Sequence, residues 1–410
     1  MESEAASSET TEFTTLPCDS QARIIALHNG KIGNDTHVLA IASLVAEQIR
    51  GEVEVVDVKF RAPVLAWGLR RALRSQIVER LMQYPRVWNW IWRIAFRGEF
   101  PHGRPPLLVC GTLGRGEIPN AILSRFWNCH SIHIGRPCRV DSTEFSLVIT
   151  PQGVEPETGE VQLPVAPTQV SLNTLDEAGE RFREDVEIPS RVWAMLIGGD
   201  GGGYRWSERD WERLADGINA LASKYNIQWV LTTSRRTGTR AEATLKSRIS
   251  PDSIAYAVWY AENPQRIMSA YLGASERIFA TEESISMLSE AIVSRRPVYA
   301  LTPDRAPKRT KAHIFARHQS EEGRLIRLTT EEFSTPSSRI EDLSEFQPLD
   351  QRWEETVLLH LRSRCPDLFT NDAIPQSEIE PREKPAGASD SQQAERSSEN
   401  QERGDVSSAA

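Results

Sequence analysis

The sequence predicts an α/β fold with a parallel sheet in each half of the chain. Residues 22–58 run through strand, glycine-containing turn, amphipathic helix and strand, which is one βαβ unit. Residues 192–206 read VWAMLIGGDGGGYRW, an apolar run as long as a buried strand followed by glycines. Because βαβ units build parallel sheets and such sheets bind ligands beyond the carboxyl ends of their strands, both loops are expected ligand sites.

Chain length and composition set the expected organisation. The 410 residues suggest two domains plus tails. We expect an N-terminal domain over residues 21–185 and a C-terminal domain over 186–365, since 39% apolar content with 11 tryptophans suffices for real cores. Residues 1–20 and 366–410 are polar and lack apolar periodicity, so we expect them to be disordered tails.

Charge and cysteine content indicate which partners and which cellular compartment to expect. The net charge of −9 gives no general nucleic-acid footprint, so we expect no nucleic-acid partner. No apolar run approaches the roughly 20 residues of a membrane span, and the acidic N-terminus is unlike a signal peptide. Five scattered cysteines favour a reducing compartment over a disulfide framework. We therefore expect a cytoplasmic protein.

The first βαβ unit is predicted as a strand over 24–27, a turn over 28–35, a helix over 36–49 and a strand over 53–58. The turn places polar side chains at the carboxyl edge of the sheet, namely His28, Asn29, Lys31, Asn34 and Asp35. Further strands are predicted in PPLLVCGTLGRGEIP, SIHIGRP and FSLVITP, with a helix from about Pro119.

The glycine loop is defined here as residues 198–203, which are five glycines and one aspartate. Glycines let the backbone approach a ligand, and free N–H groups at a helix start favour an anion such as phosphate. Ser207 is a suitable N-cap for the helix that follows. The apolar face of that helix is marked by Trp211, Leu214, Ile218 and Leu221. The loop lacks the ending of a Walker A motif. A flexible turn between a core strand and a core helix is the alternative.

A second loop carries groups that suit a diphosphate. A strand predicted over 227–232 leads into residues 233–240, which are rich in hydroxyls and contain Arg235, Arg236 and Arg240. Hydroxyl and guanidinium groups bind phosphate oxygens well, although a solvated turn has the same composition. We favour binding because two anion-friendly loops follow successive strands of one sheet.

A third segment adds carboxylates at a helix start. Strands are predicted over 277–280 and 298–301, with a helix over 284–294 between them. Glu282 precedes this helix, and Glu290 follows Glu282 by eight residues. A carboxylate at this position either complements the helix dipole or accepts hydrogen bonds from ribose or sugar hydroxyls.

The basic segment, residues 59–104, differs from the rest of this acidic chain. It contains ten basic and two acidic residues, a local charge of 10 − 2 = +8. Aromatic residues are interleaved with the arginines, namely Trp67, Trp88, Trp90, Trp92 and Phe96. This combination is attracted to anionic bilayer surfaces. RNA is the other polyanion to consider, and two helices with core tryptophans and solvated arginines are the structural alternative.

A metal site is not predicted. Cys129, His130, His133 and Cys138 lie within ten residues, but their spacing matches no standard zinc ligand pattern. The chain also lacks a G-x-S-x-G nucleophile elbow. We therefore expect neither a metal nor an organic cofactor.

Several motifs together resemble the family of the plant "elongated mitochondria" fission factor and its bacterial relatives. They are the glycine loop followed by YRW, then TTSRRTG, then TEESISMLSEA with RRPVY. The opening turn HNGKIGNDTH is similar to that family's GDGSIGNENQ turn, and the match runs in order from about residue 22 to 330. In this chain GGDGGGYRW replaces the family's usual GGPSKHYRW, and Asn29 beside His28 replaces the aspartate of GDG.

The resemblance implies a GT-B-type architecture, in which two Rossmann-like domains face each other across a cleft. It implies that the C-terminal domain holds a nucleotide-diphosphate sugar and that the N-terminal domain holds the acceptor. Glu282 and Glu290 have the E-x7-E spacing of many GT-B enzymes. The implied activity is metal-independent transfer of the sugar to an envelope lipid or glycan acceptor.

Two other functions stay open. A non-catalytic member of the family would keep the fold and act as an adaptor on a membrane surface, attached peripherally to its inner face. A nucleoside-diphosphate-sugar epimerase is the third interpretation. NAD-dependent epimerases need an N-terminal G-x-G-x-x-G motif and a Tyr-x-x-x-Lys pair, and the chain shows neither.

For transfer, we expect the diphosphate to rest on the glycine loop, with Ser234 and Arg235 opposite. Glu282 or Glu290 should face the ribose or the sugar. The predicted donor-binding residues are Gly198, Gly199, Gly201, Gly202, Gly203, Tyr204, Ser234, Arg235, Arg236, Glu282, Ser284 and Glu290. The base that deprotonates the acceptor should come from the other domain. Its candidates there are His28, Asp35, His37 and Glu117. His28 ranks first because imidazole groups titrate near neutral pH, and Asp35 second because a helix start keeps a carboxylate ionised.

Overall fold

The computed structural model describes residues 21–30, 32–73, 84–114, 116–153, 155–335 and 338–370. Within them the chain forms two six-stranded sheets, and every strand pair in both sheets is parallel. The predicted α/β class is therefore confirmed. Lys31, the predicted tail over 1–20 and residues 371–410 of the tail predicted over 366–410 lie outside the described residues.

The first sheet and its helices use residues 23–185. The strands are β1 (Arg23–His28), β2 (Glu52–Asp57), β3 (Leu108–Thr112), β4 (His130–Ile134), β5 (Leu147–Pro151) and β6 (Glu160–Leu163). The helices are α1 (Ile32–Ile49), α2 (Pro63–Ala72), α3 (Pro85–Ala95), α4 (Glu117–Trp127) and α5 (Leu172–Asp185). The strand order is β2-β1-β3-β4-β5-β6.

The second sheet and its helices follow. The strands are β7 (Val192–Leu196), β8 (Gln228–Thr232), β9 (Ile254–Val258), β10 (Ile278–Thr281), β11 (Val298–Thr302) and β12 (Ile326–Thr329). The helices are α6 (Glu208–Tyr225), α7 (Gly238–Arg248), α8 (Met268–Ala274), α9 (Ile285–Val293), α10 (Lys311–Glu321), α11 (Thr330–Ser334) and α12 (Trp353–Arg364). The strand order is β12-β11-β10-β7-β8-β9.

Strand β7 is buried at every position, which explains why its sequence is an unbroken apolar run rather than an alternating one. The helix after the glycine loop begins as predicted, because Ser207 and Asp210 form a capping box at the start of α6. The side chains of Trp211, Leu214 and Ile218 are buried beneath that helix. These predictions are confirmed.

Helix α1 begins at Ile32, four residues before the predicted start at residue 36. Gly30 has φ +79°, so the chain reverses within a shorter turn than the polar composition suggested. Asn34 and Asp35 consequently lie in the first helical turn and not in a loop. The prediction of a turn over 28–35 was wrong in its length.

Each sheet contains one switch point, where the strand order reverses between neighbouring strands. In the first sheet it lies between β1 and β3, and in the second between β7 and β10. Ligands of open α/β sheets bind at the carboxyl side of such a point. The glycine loop follows β7, and residues 29–30 follow β1. Both predicted ligand loops therefore lie at switch points.

The carboxyl edges of the two sheets face each other. His37 on α1, which follows β1, lies with Nε2 3.0 Å from the hydroxyl oxygen of Ser286 on α9, which follows β10. The backbone N–H of Ala166 donates to the hydroxyl of Ser289 on the same helix, at 3.0 Å. The predicted GT-B-type arrangement of two Rossmann-like sheets is confirmed by this geometry.

The last helix returns to the first half of the chain. Arg364 on α12 donates to the carbonyl oxygen of Gly159 at 2.6 Å, and Arg362 to the Gln48 side chain at 3.2 Å. Pro366–Phe369 continues as a 3-10 turn in which Leu368 is only 2% exposed, so this part of the predicted tail is packed. One apolar core contains residues from both halves. The domain boundary at residue 185 stays a prediction.

No helix within the described ranges combines the length and apolar character needed to cross a bilayer.

Candidate functional site

The candidate donor site lies at the switch point of the second sheet. Three loops meet there: the glycine loop after β7, residues 233–237 after β8, and residues 282–284 after β10. Hydroxyl groups fasten the first two together, since Ser234 and Thr237 both donate to the carbonyl oxygen of Gly198, at 2.6 and 2.5 Å. The structure therefore brings the predicted Ser234 against the glycine loop.

The glycine loop needs its glycines for close packing as well as for turning. Gly199, Gly202 and Gly203 have positive φ, which disfavours any side chain. A Cβ atom on Gly199 would overlap the backbone of Arg236. At Gly202, by contrast, a Cβ atom would meet nothing closer than 3.8 Å. The inner end of the loop is therefore packed against protein, and open space lies at Gly202.

Arg236 lies against the loop at Gly201, the residue before Gly202, whereas Arg235 is exposed on the surface of the same turn. The Arg236 guanidinium approaches the loop closely, because a Cβ atom on Gly201 would lie 2.7 Å from its Nη1 atom. Its side chain is 33% exposed. Of the two predicted arginines, Arg236 is thus the one that contacts the glycine loop.

Glu282 has a different position from the one predicted, because it is fully buried beneath the loop. Its Oε1 accepts a hydrogen bond from the Tyr204 hydroxyl at 2.6 Å, and Arg327 binds both carboxylate oxygens at 2.6 and 2.9 Å. The predicted Tyr204 is therefore held by Glu282 and does not face open solvent. Burial, with the Glu282 charge, raises the pKa of the Tyr204 phenol.

Sequence reasoning missed Glu283 as a site residue. The backbone N–H of Gly199 donates to Glu283 Oε1 at 2.6 Å, and the Thr281 hydroxyl donates to the same oxygen at 2.9 Å. Thr281 in turn accepts a hydrogen bond from the Gly198 N–H at 2.7 Å. The only sequence signal was the pair of adjacent glutamates, of which we assigned the first.

The other two predicted donor residues belong to α9. Ser284 is its N-cap residue, and the Ser284 side chain makes no capping hydrogen bond. Glu290 lies in the second turn of the helix and is half-buried, and this burial raises its pKa to about 7. Glu282 and Glu290 thus differ in environment, one in a buried ion pair and the other desolvated on a helix.

In the first half, His28 lies between two carboxylates. Its Nε2 atom is 2.7 Å from Asp35 Oδ2, and its Nδ1 atom is 2.6 Å from Asp57 Oδ1. Asp35 is buried and also accepts a hydrogen bond from the Asn29 N–H at 2.8 Å. Burial is the main cause that raises the pKa of Asp35, while His28 opposes it. The two residues ranked as candidate bases therefore form one pair.

The remaining candidate bases have structural roles. His37 Nδ1 lies 2.6 Å from the carbonyl oxygen of Pro167, so this nitrogen must donate, which leaves Nε2 to accept from Ser286. Burial lowers the pKa of His37. Glu117 is fully buried and accepts hydrogen bonds from the N–H groups of residues 138–140.

The basic segment divides into core and surface aromatics. Trp88, Trp92 and Phe96 are buried in an apolar cluster. Trp67 on α2 and Trp90 on α3 are 67% and 65% exposed. The structural alternative therefore holds for these three core aromatics, whereas attachment of the exposed aromatics to a membrane stays a prediction. Residues 74–83, with Arg74 and Arg80, lie outside the described residues.

The Cys/His constellation does not converge. His133 is buried and stacked on Phe145, and this burial lowers its pKa to about 3. His130 instead pairs with Asp367 at 2.8 Å. In the part of the chain that the structure describes, no group of three or more His, Cys, Asp or Glu side chains is placed to hold a metal ion.

Comparison with known proteins gives a family and several similar folds. A family model described as mitochondrial fission ELM1 matches residues 64–352. No curated protein sequence matches the chain. The structure of S. aureus MnaA with UDP is 12% identical, covers 83% of this chain and 96% of its own, and has a TM-score of 0.49. The structure of UDP-GlcNAc 2-epimerase from Methanocaldococcus jannaschii is 12% identical, covers 84% of this chain and 99% of its own, and has a TM-score of 0.48. The structure of E. coli ADP-heptose LPS heptosyltransferase II is 11% identical, covers 84% of this chain and 98% of its own, and has a TM-score of 0.40.

The ion pair between Glu282 and Arg327 should stabilise the fold around the glycine loop. We expect Glu282→Gln to lower the free energy of unfolding by about 3 kcal/mol, because it leaves a guanidinium without its buried partner. Tyr204→Phe should cost only about 1 kcal/mol, since it removes one hydrogen bond. Urea denaturation measures both. Glu208→Gln, at an exposed pair with Arg240, is the control, and equal losses for Glu282→Gln and this control would contradict the assignment.

Proposed function

The chain belongs to the mitochondrial fission ELM1 family, and we propose that it is a glycosyltransferase that takes its sugar from a nucleotide-diphosphate sugar. The proposed acceptor is an envelope lipid or glycan. The observation that carries the proposal is the pairing of two switch points across one cleft, with an arginine-bordered glycine loop on one side and a His–Asp pair on the other. The first group suits a leaving diphosphate, and the second suits proton removal from an acceptor hydroxyl.

The proposed diphosphate position is the outer part of the glycine loop. Gly198 and Gly199 already donate their N–H groups to Thr281 and Glu283. The space at Gly202 and the partly exposed Arg236 guanidinium are available next to them. The uncapped start of α9 at Ser284 adds helix N–H groups, which favour an anion.

His28 is the proposed general base, with Asp35 as its partner. The buried Asp35 carboxylate lies next to His28 Nε2 and orients the imidazole ring. Asp57, next to His28 Nδ1, is exposed, so an acceptor hydroxyl can take its place. In the proposed step the acceptor oxygen forms a bond to the anomeric carbon of the sugar and its proton passes to His28 Nδ1. The bond from that carbon to the diphosphate oxygen breaks, and its electron pair leaves with the nucleoside diphosphate.

The exposed aromatics of the basic segment support a second proposal, attachment to an anionic membrane surface. Helix α2 buries none of its residues fully and presents Val64 and Trp67 to solvent beside Arg70 and Arg71. Each basic residue near an anionic surface contributes roughly 1 kcal/mol of attraction. This surface would hold the first half of the chain over a lipid-linked acceptor. It would serve equally in a non-catalytic adaptor, which is the second candidate function.

Our first expectation concerns donor binding. Gly201→Val should abolish the thermal stabilisation given by a matching UDP-, GDP- or CMP-sugar, because its side chain displaces Arg236 from the loop. The melting temperature without ligand should change little, since Arg236 is flexible and partly exposed. Gly68→Val is the matched control, because a Cβ atom on Gly68 meets no atom within 4 Å. Unchanged affinity in Gly201→Val would show that the donor binds elsewhere.

A second expectation concerns the base. His28→Ala and Asp35→Asn should each reduce sugar transfer by about 10²-fold or more while donor affinity is kept, as expected for loss of general base catalysis. His130→Ala is the control, since it breaks a His–Asp pair at the amino end of β4. Transfer is measured with radiolabelled donor and donor affinity by calorimetry. Wild-type rates in both variants would refute the base, and a parent that binds a donor without transferring it would favour the adaptor.

A third expectation concerns the membrane. Combining Trp67→Ser with Trp90→Ser should weaken sedimentation with phosphatidylserine liposomes at least tenfold, because both side chains are exposed and amphipathic. Leu359→Ser is the control, since Leu359 is 68% exposed on α12, outside the basic segment. Wild-type binding should also fall as salt is added. Binding that depends on neither anionic lipid nor salt would rule the surface out.

A further inference from the structure

The glycine loop already contains an anionic group from the protein itself. Glu283 places one carboxylate oxygen 2.6 Å from the Gly199 N–H and 2.9 Å from the Thr281 hydroxyl oxygen. Its side chain is fully buried. A backbone N–H of a glycine loop with a neighbouring hydroxyl and guanidinium is the set of groups that binds a phosphate oxygen. In this structure a carboxylate uses that set.

The first glycine of the loop is required by this carboxylate. A Cβ atom on Gly198 would overlap Glu283 Oε1. The glycine is thus needed in the resting protein, before any ligand binds. Any substitution there would displace the Glu283 side chain.

The Glu283 carboxylate is poorly satisfied for a buried charged group. Among the described residues its second oxygen, Oε2, is buried and has no hydrogen-bond partner. The nearest cation is Arg236, whose Nη2 atom lies 3.5 Å from Oε1, beyond good hydrogen-bond distance. A buried carboxylate normally needs several hydrogen bonds to offset its desolvation. Glu283 is therefore less completely paired than Glu282, whose two oxygens both bind Arg327.

We propose that Glu283 occupies an anion position at the inner end of the glycine loop in the resting protein. There it competes for Arg236 with the donor diphosphate proposed at the outer end, because Arg236 lies near both Gly198 and Gly201. The inference rests on the proposed donor site and adds a regulatory residue to it. Binding of the donor then requires Arg236 to exchange one carboxylate for a phosphate. Removal of the Glu283 charge should consequently tighten anion binding rather than weaken it.

The groups around Glu283 give the direction of its pH dependence. The loop after β7 contributes the Gly199 N–H, the loop after β8 contributes Arg236, and β10 contributes Thr281. The adjacent Glu282 faces a separate set of partners, which are Tyr204, His313 and Arg327. Burial raises the pKa of Glu283, and Arg236 opposes that rise. As pH falls, Glu283 gains a proton and releases Arg236, so anion affinity should increase.

The experiment uses the full chain and two probes whose charge is constant from pH 5.5 to 8, sulfate and UDP-glucose. Binding is measured by thermal shift in sodium sulfate against sodium chloride of equal ionic strength, and by calorimetry for UDP-glucose. At pH 8 we expect Glu283→Gln to bind sulfate at least about tenfold more tightly than the wild type, the size of one charge-assisted hydrogen bond. The control is Glu354→Gln, which removes another carboxylate that lies beside an arginine, Arg352. This variant should bind sulfate as the wild type does.

Two further variants keep the proposal testable. In an Arg236→Ala background, Glu283→Gln should no longer increase the affinity for sulfate, because the cation that both anions share is absent. Glu283→Asp, which keeps the charge but shortens the side chain, should give an intermediate gain and replaces the glutamine variant if that variant does not fold. The difference in sulfate affinity between the wild type and Glu283→Gln should shrink from pH 8 to 5.5. Protonation of histidines affects both proteins equally and does not change this difference.

The outcomes separate this inference from the proposed function. Equal or weaker sulfate binding by Glu283→Gln would overturn it, as would a gain that persists without Arg236. A sulfate gain with no binding of UDP-glucose or any other nucleotide sugar would support the role of Glu283 and count against the donor proposal.

Discussion

The ion pair of Glu282 with Arg327, beneath the glycine loop, is the interaction on which the geometry of that loop depends. Arg327 binds both oxygens of a fully buried carboxylate, which therefore has a fixed position. That carboxylate holds the Tyr204 hydroxyl, and Tyr204 pairs through its backbone with Gly201. The outer end of the glycine loop is thereby anchored from below. Its inner end is anchored separately, through Thr281 and Glu283.

Adjacent glutamates consequently have different physical roles. Glu282 is matched by a guanidinium at short range, so its burial is compensated. Glu283 has a more distant arginine and one oxygen without a partner among the described residues. A strongly paired carboxylate suits a permanent support, and a weakly paired one suits exchange with a ligand. The order of the two residues after β10 decides which of them faces the glycine loop.

The first sheet uses its switch point differently. There the carboxyl edge presents an imidazole between a buried and an exposed carboxylate. The early start of α1 produces this arrangement, because it carries Asp35 into the first helical turn and back toward the end of β1. His37, two residues after Asp35 on the same helix, contacts Pro167 and Ser286 and so joins the two halves of the chain. The start of the helix thus decides which histidine pairs with Asp35 and which one joins the two halves.

The sequence by itself determined the fold class, the ligand loops after β1, β7, β8 and β10, and nine of the twelve strands that the structure describes; β6, β9 and β12 were not predicted. Apolar runs such as β7 and capping residues such as Ser207 act locally, so their periodicity and spacing can be read directly. Only the tertiary structure decided which side chains meet. Glu283 could not be distinguished from Glu282, nor Trp67 from Trp88, because burial of a side chain depends on elements distant in the chain. The pairing of His28 with Asp57, 29 residues apart, likewise exists only because β1 and β2 lie in register.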